Sequence, residues 1–320
     1  MWIKKNQLAL IVVVLLVVVG VYFGSMSTES NLRDKMLDAV ADHDHENALV
    51  YATDILKHEP TNREAKRVIS ESGQIFYYLQ AAKSTLTEFM AGKDDATIDA
   101  KQLYEQFDKA REYTGKAKAL DPRFRTVSNF EKTLDKSQTT LIHILSLNVF
   151  EQGQSVVERA GANYRKTSEI VDVATSSRYL STFLPYQSAW ASVNTPIEEI
   201  KEELSSSLNE MDEIGRLIST YREGSAKDFT MSLLTYISVV KTTADTLLVP
   251  KGSYKDFSKA ANLATSEYKK IRTKVKRATP RSTSGEGAMV SLLKGIPEYQ
   301  ISRNRKVDEI VTTNQSLYKL

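Results

Sequence analysis

TPIEEIKEELSSSLNEMDEIGRLISTY, residues 195–221, is the stretch that decides the fold class. Thr195-Pro196-Ile197-Glu198 joins a capping box to a proline at the first helical position, so a helix begins there. Apolar residues then recur at Ile197, Ile200, Leu204, Met211, Ile214, Ile218 and Tyr221, with Ser207 filling the one gap in an alternating three-four spacing. A half-buried strand would repeat at two; this is a helical seam. Glu223-Gly224-Ser225 breaks it. Phe229, Leu233, Tyr236, Val240 and Leu247 carry a second seam as far as Pro250, and Tyr254, Phe257, Ala261, Ala264, Tyr268, Ile271, Val275 and Ala278 form a third. The period lies nearer 3.5 than 3.6, which predicts left-handed supercoiled packing, and the short breaks make successive helices antiparallel neighbours.

Working upstream, Phe130, Leu134, Leu141, Ile144, Val156, Val157, Ala160, Tyr164, Ile170 and Ala174 predict one long helix or two, interrupted at Gly153 and Gly161. Leu184-Pro185 ends that stretch. Four long helices in chain order over 127–279 are most simply an elongated antiparallel up-down bundle with coiled-coil-like seams. No stretch reads as a strand, so the chain is expected to be all-α. Thr279 to Gly287 (TPRSTSGEG) reads as a linker, and within the linker and tail of 280–320 the segments Ala288–Leu293 and Val307–Leu317 are expected to form small helices that dock on the bundle or on a partner.

Residues 25–126 read as several helices of modest length. Breaks fall near Asp42 to Glu46, at Glu59-Pro60-Thr61, around Gly92 to Asp95, and at Asp121-Pro122. Two of these breaks look alike. ENALVYATDILKHEPTNREA (Glu46 to Ala65) and DKAREYTGKAKALDPRF (Asp108 to Phe124) each place a small residue twelve positions before a proline: Ala48 with Pro60, and Ala110 with Pro122. Both stretches resemble the second helix of a tetratricopeptide repeat, and Ala117 matches that family's second small position, where the first copy has Ile55. Leu32 and Ala39 fit the first helix of the first copy. The second copy departs from the pattern, with Ile98 in place of glycine and Lys101 in place of an aromatic residue. The two prolines are 62 residues apart, which is no multiple of the usual repeat of about 34. The resemblance implies helical hairpins that bind proteins or organise an assembly; any helical hairpin ended by proline is the alternative.

Leu8 to Phe23 (LALIVVVLLVVVGVYF) is an unbroken apolar run directly behind Lys4 and Lys5. With its flanks, residues 7–24 rise roughly 27 Å as a helix, close to the roughly 30 Å hydrocarbon core of a bilayer. Leu8, Ile11, Leu15 and Val18 would face lipid, and Trp2, Tyr22 and Phe23 suit the interfacial aromatic belts. Lys4 and Lys5 lie on the short side and the other flank mixes signs, so residues 1–6 are expected in the cytoplasm and the bulk of the chain outside it, periplasmic in a Gram-negative cell. A cleaved secretory signal is the alternative, with Ser25-Met26-Ser27 as a weak cleavage pattern, and it exports the same domain. No second span is expected, because Met231 to Val249 contains Lys241 and Asp245.

The chain of 320 residues has no cysteine, which excludes disulfide staples, lipoprotein acylation and thiolate chemistry. Lys and Arg number 43 against 40 Asp and Glu, a net charge of +3 that argues against a dedicated nucleic-acid binder. The positive balance is local. Lys269, Lys270, Arg272, Lys274, Lys276, Arg277 and Arg281 form a cluster without an acid, and removing these seven from +3 leaves −4. A helix C-terminus attracts cations only over its last turn, so the cluster is expected to meet anionic lipid, an acidic polymer or an acidic protein face.

Chemical motifs are sparse. Asp42-His43-Asp44-His45-Glu46 carries metal-ligand residue types, but they are consecutive, no further histidine is predictably near, and the stretch reads as a solvated turn. His143, within Leu141-Ile142-His143-Ile144-Leu145, reads as a structural residue. Glu198, Glu199, Glu202, Glu203, Glu210, Asp212 and Glu213 share one helix beside its seam and read as a solvated face. No G-x-S-x-G, phosphate loop or H-E-x-x-H occurs, so neither catalysis nor a cofactor is expected. The expected function is a membrane-tethered scaffold or adaptor for protein partners of an envelope assembly, with seams that close within one chain or between copies. A helical ligand sensor acting through a partner protein is the alternative, and an envelope enzyme the third.

Overall fold

The computed structural model describes residues 30–91, 98–176, 197–221, 223–249, 251, 254–279, 296 and 299–318. These residues are helical throughout, with no strand among them, as the periodicity requires. The helices are α1 (30–41), α2 (His45–His58), α3 (Arg63–Met90), α4 (Ala100–Leu120), α5 (Arg125–Ser176), α6 (Ile197–Ile218), α7 (Lys227–Leu248), α8 (Tyr254–Ala278) and α9 (Arg305–Thr313), followed by a 3-10 turn at Gln315–Leu317. Leu8, Ile11, Leu15, Val18, Tyr22 and Phe23 lie outside the described residues, as do Arg281 and Ala288–Leu293. Among the described residues no helix is long and apolar enough to cross a membrane.

Two compact units result. The first holds the described residues up to Ala91, together with Asp108–Leu134 and the tail from Ile296; the second holds the described residues between Ile98 and Phe107 and from Asp135 to Thr279. Helices α4 and α5 contribute residues to both.

In the first unit, α1 and α2 form a hairpin whose turn falls at 42–44. Asp44 caps α2 by accepting from the Asn47 N–H at 3.2 Å, and Asn62 caps α3 by accepting from the Ala65 N–H at 3.0 Å, which satisfies donors that each helix start leaves free. Ala48, Ala110 and Ala117 are fully buried, whereas Pro60 and Pro122 are exposed just beyond their helix ends. Helix α4 runs unbroken from Ala100 to Leu120, so Lys101 and Ala110, which the repeat pattern assigns to two different helices, share one. Helix α3 is the longer partner in this unit, at 28 residues.

The tail packs within this first unit. Val307, Ile310 and Val311 bury one face of α9 against α2 and α3. Gln80 Nε2 donates to Asp308 Oδ1 at 2.9 Å, Lys83 Nζ to the Tyr299 carbonyl at 2.9 Å, and the Arg303 N–H to the Glu46 carboxylate at 3.3 Å. Tyr318 ends the clamp. Its ring lies directly over Gly73 of α3 and its hydroxyl donates to the Ile69 carbonyl at 3.2 Å, with burial pushing the phenol up to about 12. Any side chain at Gly73 would occupy the space of that ring.

The second unit is an up-down-up-down bundle of α5, α6, α7 and α8. The pairing reads from contacts: Gln152 of α5 meets Glu210 of α6, Lys241 of α7 meets Asp212, and Thr243 of α7 meets Ala264 of α8, each in antiparallel order with its neighbours. Seam positions Leu204, Met211, Ile214, Leu233, Tyr236, Val240, Phe257, Ala261 and Val275 are all buried. Each buried Leu, Ile or Phe contributes about 1.5–3 kcal/mol. Surface ion pairs such as Lys101–Glu213 and Arg159–Glu203 contribute about 0–1 kcal/mol, so the seams and not the charges hold the bundle.

Gly153 and Gly161 do not interrupt α5, which is continuous. Gly153 instead admits Tyr236: a Cβ there would stand 2.7 Å from the phenol oxygen, which donates to the Phe150 carbonyl at 3.1 Å. Gly224 does break the chain, with φ of +118° in the left-handed region that favours glycine. Asp135 ties the adjoining turn, accepting from Tyr221 Oη at 2.6 Å and Ser225 Oγ at 2.8 Å.

Gly73→Ala is expected to destabilise the first unit by about 1–3 kcal/mol, because the added methyl displaces the Tyr318 ring. Urea unfolding and protease sensitivity of the tail measure this. In a Tyr318→Ala background the same substitution should cost much less, and a Gly73→Ala protein as stable as the parent would contradict the clamp.

Candidate functional site

The most concentrated chemistry sits where two turns of the first unit meet. After α1 the backbone closes a turn in which the His43 N–H donates to the Val40 carbonyl and the Asp44 N–H to the Ala39 carbonyl. His43 takes φ of +57°, the only positive value at a non-glycine among the described residues, a conformation that histidine tolerates better than most. His45 follows as the first residue of α2. Distant in sequence, α4 stops at Leu120, and Asp121-Pro122 turns the chain. Asp121 Oδ1 accepts from the Arg123 N–H at 2.8 Å, an aspartate turn that fixes the carboxylate.

Both histidines reach the other oxygen. His43 Nδ1 lies 2.6 Å and His45 Nε2 2.7 Å from Asp121 Oδ2, while His45 Nδ1 is 2.9 Å from Ser72 Oγ of α3. Phe124 packs edge-on to the His45 ring, with centroids 4.9 Å apart, and also against Phe76. His45, Ser72 and Asp121 are buried; the His43 side chain keeps 34% of its surface. Burial pushes the Asp121 carboxyl up, but hydrogen bonds from His45, the Arg123 N–H and His43, with the charge of His45, outweigh it and leave the group below its ordinary value.

The stretch Asp42 to Glu46 is therefore only in part a solvated turn: Asp42 is exposed, but His45 is not. His45 is buried, and its partner comes from 76 positions away, a distance over which consecutive residues give no signal. The order Ser72, His45, Asp121 is that of a nucleophile, base and orienting acid. However, Ser72 is 2% exposed in the interior of α3, so no substrate carbonyl can reach its hydroxyl.

No family model, curated protein or solved structure matches this chain. What the site can do is read from its own geometry.

The basic cluster lies on the C-terminal half of α8. Lys269, Lys270, Lys274, Lys276 and Arg277 are exposed, and among the described residues none forms an ion pair. Arg272 behaves differently. It turns toward the bundle, donating from Nη2 to Gln154 Oε1 at 2.8 Å and resting its guanidinium 5.8 Å from the Phe150 ring centroid. The carboxylates of α6 are partly engaged: Glu203 pairs with Arg159, Glu210 accepts from Gln152, Asp212 from Lys241 and Glu213 from Lys101.

His143 is half-buried against the Phe229 ring, with centroids 4.7 Å apart. Burial pushes its pKa below the ordinary 6.5. In the window between these values the unfolded chain binds a proton that the folded chain refuses, so stability falls as the pH drops from about 6.5 through the lower folded value. Urea midpoints measured downward from about pH 7 should decline in this window. In a His143→Leu variant the decline should be shallower, and identical profiles would contradict the assignment.

Proposed function

We propose that the chain is a membrane-tethered, extracytoplasmic helical scaffold that binds protein partners of an envelope assembly. The apolar run of residues 7–24 supplies the tether in this reading, with the N-terminus in the cytoplasm. The α1–α2 hairpin, whose Ala48 and Pro60 carry the repeat-like spacing, offers one contact region to a partner.

The observation that carries the reading is the contrast between the inside and the outside of the bundle. Its apolar seams are consumed by internal packing, yet the end of α8 presents five exposed cations that no described carboxylate neutralises. A helix end needs one or two cations for its own dipole. Five on one solvent face form an attractive surface for an acidic protein, with anionic lipid or polymer as other sources of the same charge.

Crosslinking with mass spectrometry in the native membrane tests this proposal, comparing the parent chain with Lys274→Glu/Lys276→Glu/Arg277→Glu. The parent is expected to yield crosslinks from residues 269–277 to at least one other envelope protein. At about 1 kcal/mol for each cation near an anionic surface, reversing three should weaken that capture by about 100-fold or more in low salt, and less in high salt. Recovery of the parent only as an isolated monomer, or capture unchanged by the reversal at both salts, would contradict the scaffold reading.

A further inference from the structure

We propose that His43, His45 and Asp121 form a binding site for a divalent transition-metal ion of the zinc class, with water completing its coordination. The donor set comes first. Two imidazole nitrogens and one carboxylate oxygen lie within 4.8 Å of one another, and this combination suits zinc and its neighbours better than calcium or magnesium, which prefer oxygen alone.

The spacing comes second. Ligand atoms on a tetrahedral zinc with bonds of about 2.0–2.1 Å stand about 3.3 Å apart. The two nitrogen–oxygen separations here are 2.6 and 2.7 Å while the three donors spread over 4.8 Å, so binding needs the carboxylate to draw back by about half an ångström and the two imidazoles to close toward each other. Both histidines approach the same carboxylate oxygen, so all three donors border one place where an ion can enter.

The supporting contacts come third and are independent of the donors. A metal-binding histidine characteristically hydrogen-bonds through its other ring nitrogen, which fixes the tautomer that leaves a lone pair for the metal. Ser72 Oγ stands at His45 Nδ1 in that role, on a different helix. The Arg123 N–H holds Asp121 Oδ1 and leaves Oδ2 as the ligand. Phe124 fixes the His45 ring from one side. His43 is partly exposed while its Nδ1 faces Asp121, so solvent reaches the site beside its ring and gives an ion a way in.

Bound there, the ion would join the turn between α1 and α2 to the turn between α4 and α5 by coordinate bonds. Without it the same groups form a hydrogen-bonded staple. The two states make different demands on Ser72 and on added metal.

The test uses the full chain, freed of metal by a chelator, with Zn²⁺ followed by calorimetry and Co²⁺ by visible absorption. The parent is expected to bind one equivalent of either ion, and Co²⁺ should show ligand-field bands of nitrogen and oxygen coordination. His43→Gln and Asp121→Asn should abolish binding, Ser72→Ala should weaken it about 10- to 100-fold, and His58→Gln should leave it intact. Circular dichroism checks that helicity persists in each variant. Absence of saturable binding and of Co²⁺ bands in the parent, which needs no variant to interpret, would overturn the proposal. So would binding that survives in both folded His43→Gln and Asp121→Asn.

Discussion

The bundle depends on one close approach, the Tyr236 ring of α7 against the bare backbone of Gly153 in α5. Tyr236 is fully buried between α5 and α8, stacked on Phe150 with centroids 5.6 Å apart and tilted toward Tyr268 at 6.0 Å. Its hydroxyl cannot be left unsatisfied there, and the Phe150 carbonyl accepts from it. Burial raises the pKa of the phenol strongly, so it remains a donor at every working pH. A larger residue at position 153 would push α7 outward and open the seams on either side of it.

The first unit repeats the device. Tyr318 lies over Gly73, and again a phenol donates to a helix carbonyl within one turn of the glycine. In a chain without cysteine, tyrosine seated on glycine takes the place of a crosslink between distant segments. It joins shape, since only glycine leaves room, to a hydrogen bond that only one orientation of the ring can make. The polar ties elsewhere, Asp135 at the α6–α7 turn and Asp121 between two turns, hold loops in place that the apolar seams do not reach.

Much of this architecture was legible in the sequence because it is periodic. Met211, Ile214 and Ile218 announce their burial by spacing alone, and Gly224 announces a turn because no side chain competes for its conformation. What was illegible depends on partners far away in the chain. Gly153 reads as a helix interruption until Tyr236 is seen to fill its place. Arg272 reads as one more surface cation until Gln154 and Phe150 are seen to receive it. His43 and His45 read as a wet turn until Asp121 arrives beside them. The repeat resemblance found buried alanines at the right spacing, but spacing between a small residue and a proline does not specify whether the preceding residues turn back or, as in α4, continue the same helix.

The proposed scaffold role needs an interior that closes on itself, so that its outer faces remain available for partners. Native-state hydrogen exchange on the full chain tests that closure most directly. Amides of residues 149–157 and 233–240 are expected to be the slowest to exchange in the second unit, opening only with global unfolding, and Gly153→Ala should accelerate both segments together. Exchange there as fast as at the ends of α6 and α8, or acceleration of one segment without the other, would contradict a bundle held by this contact.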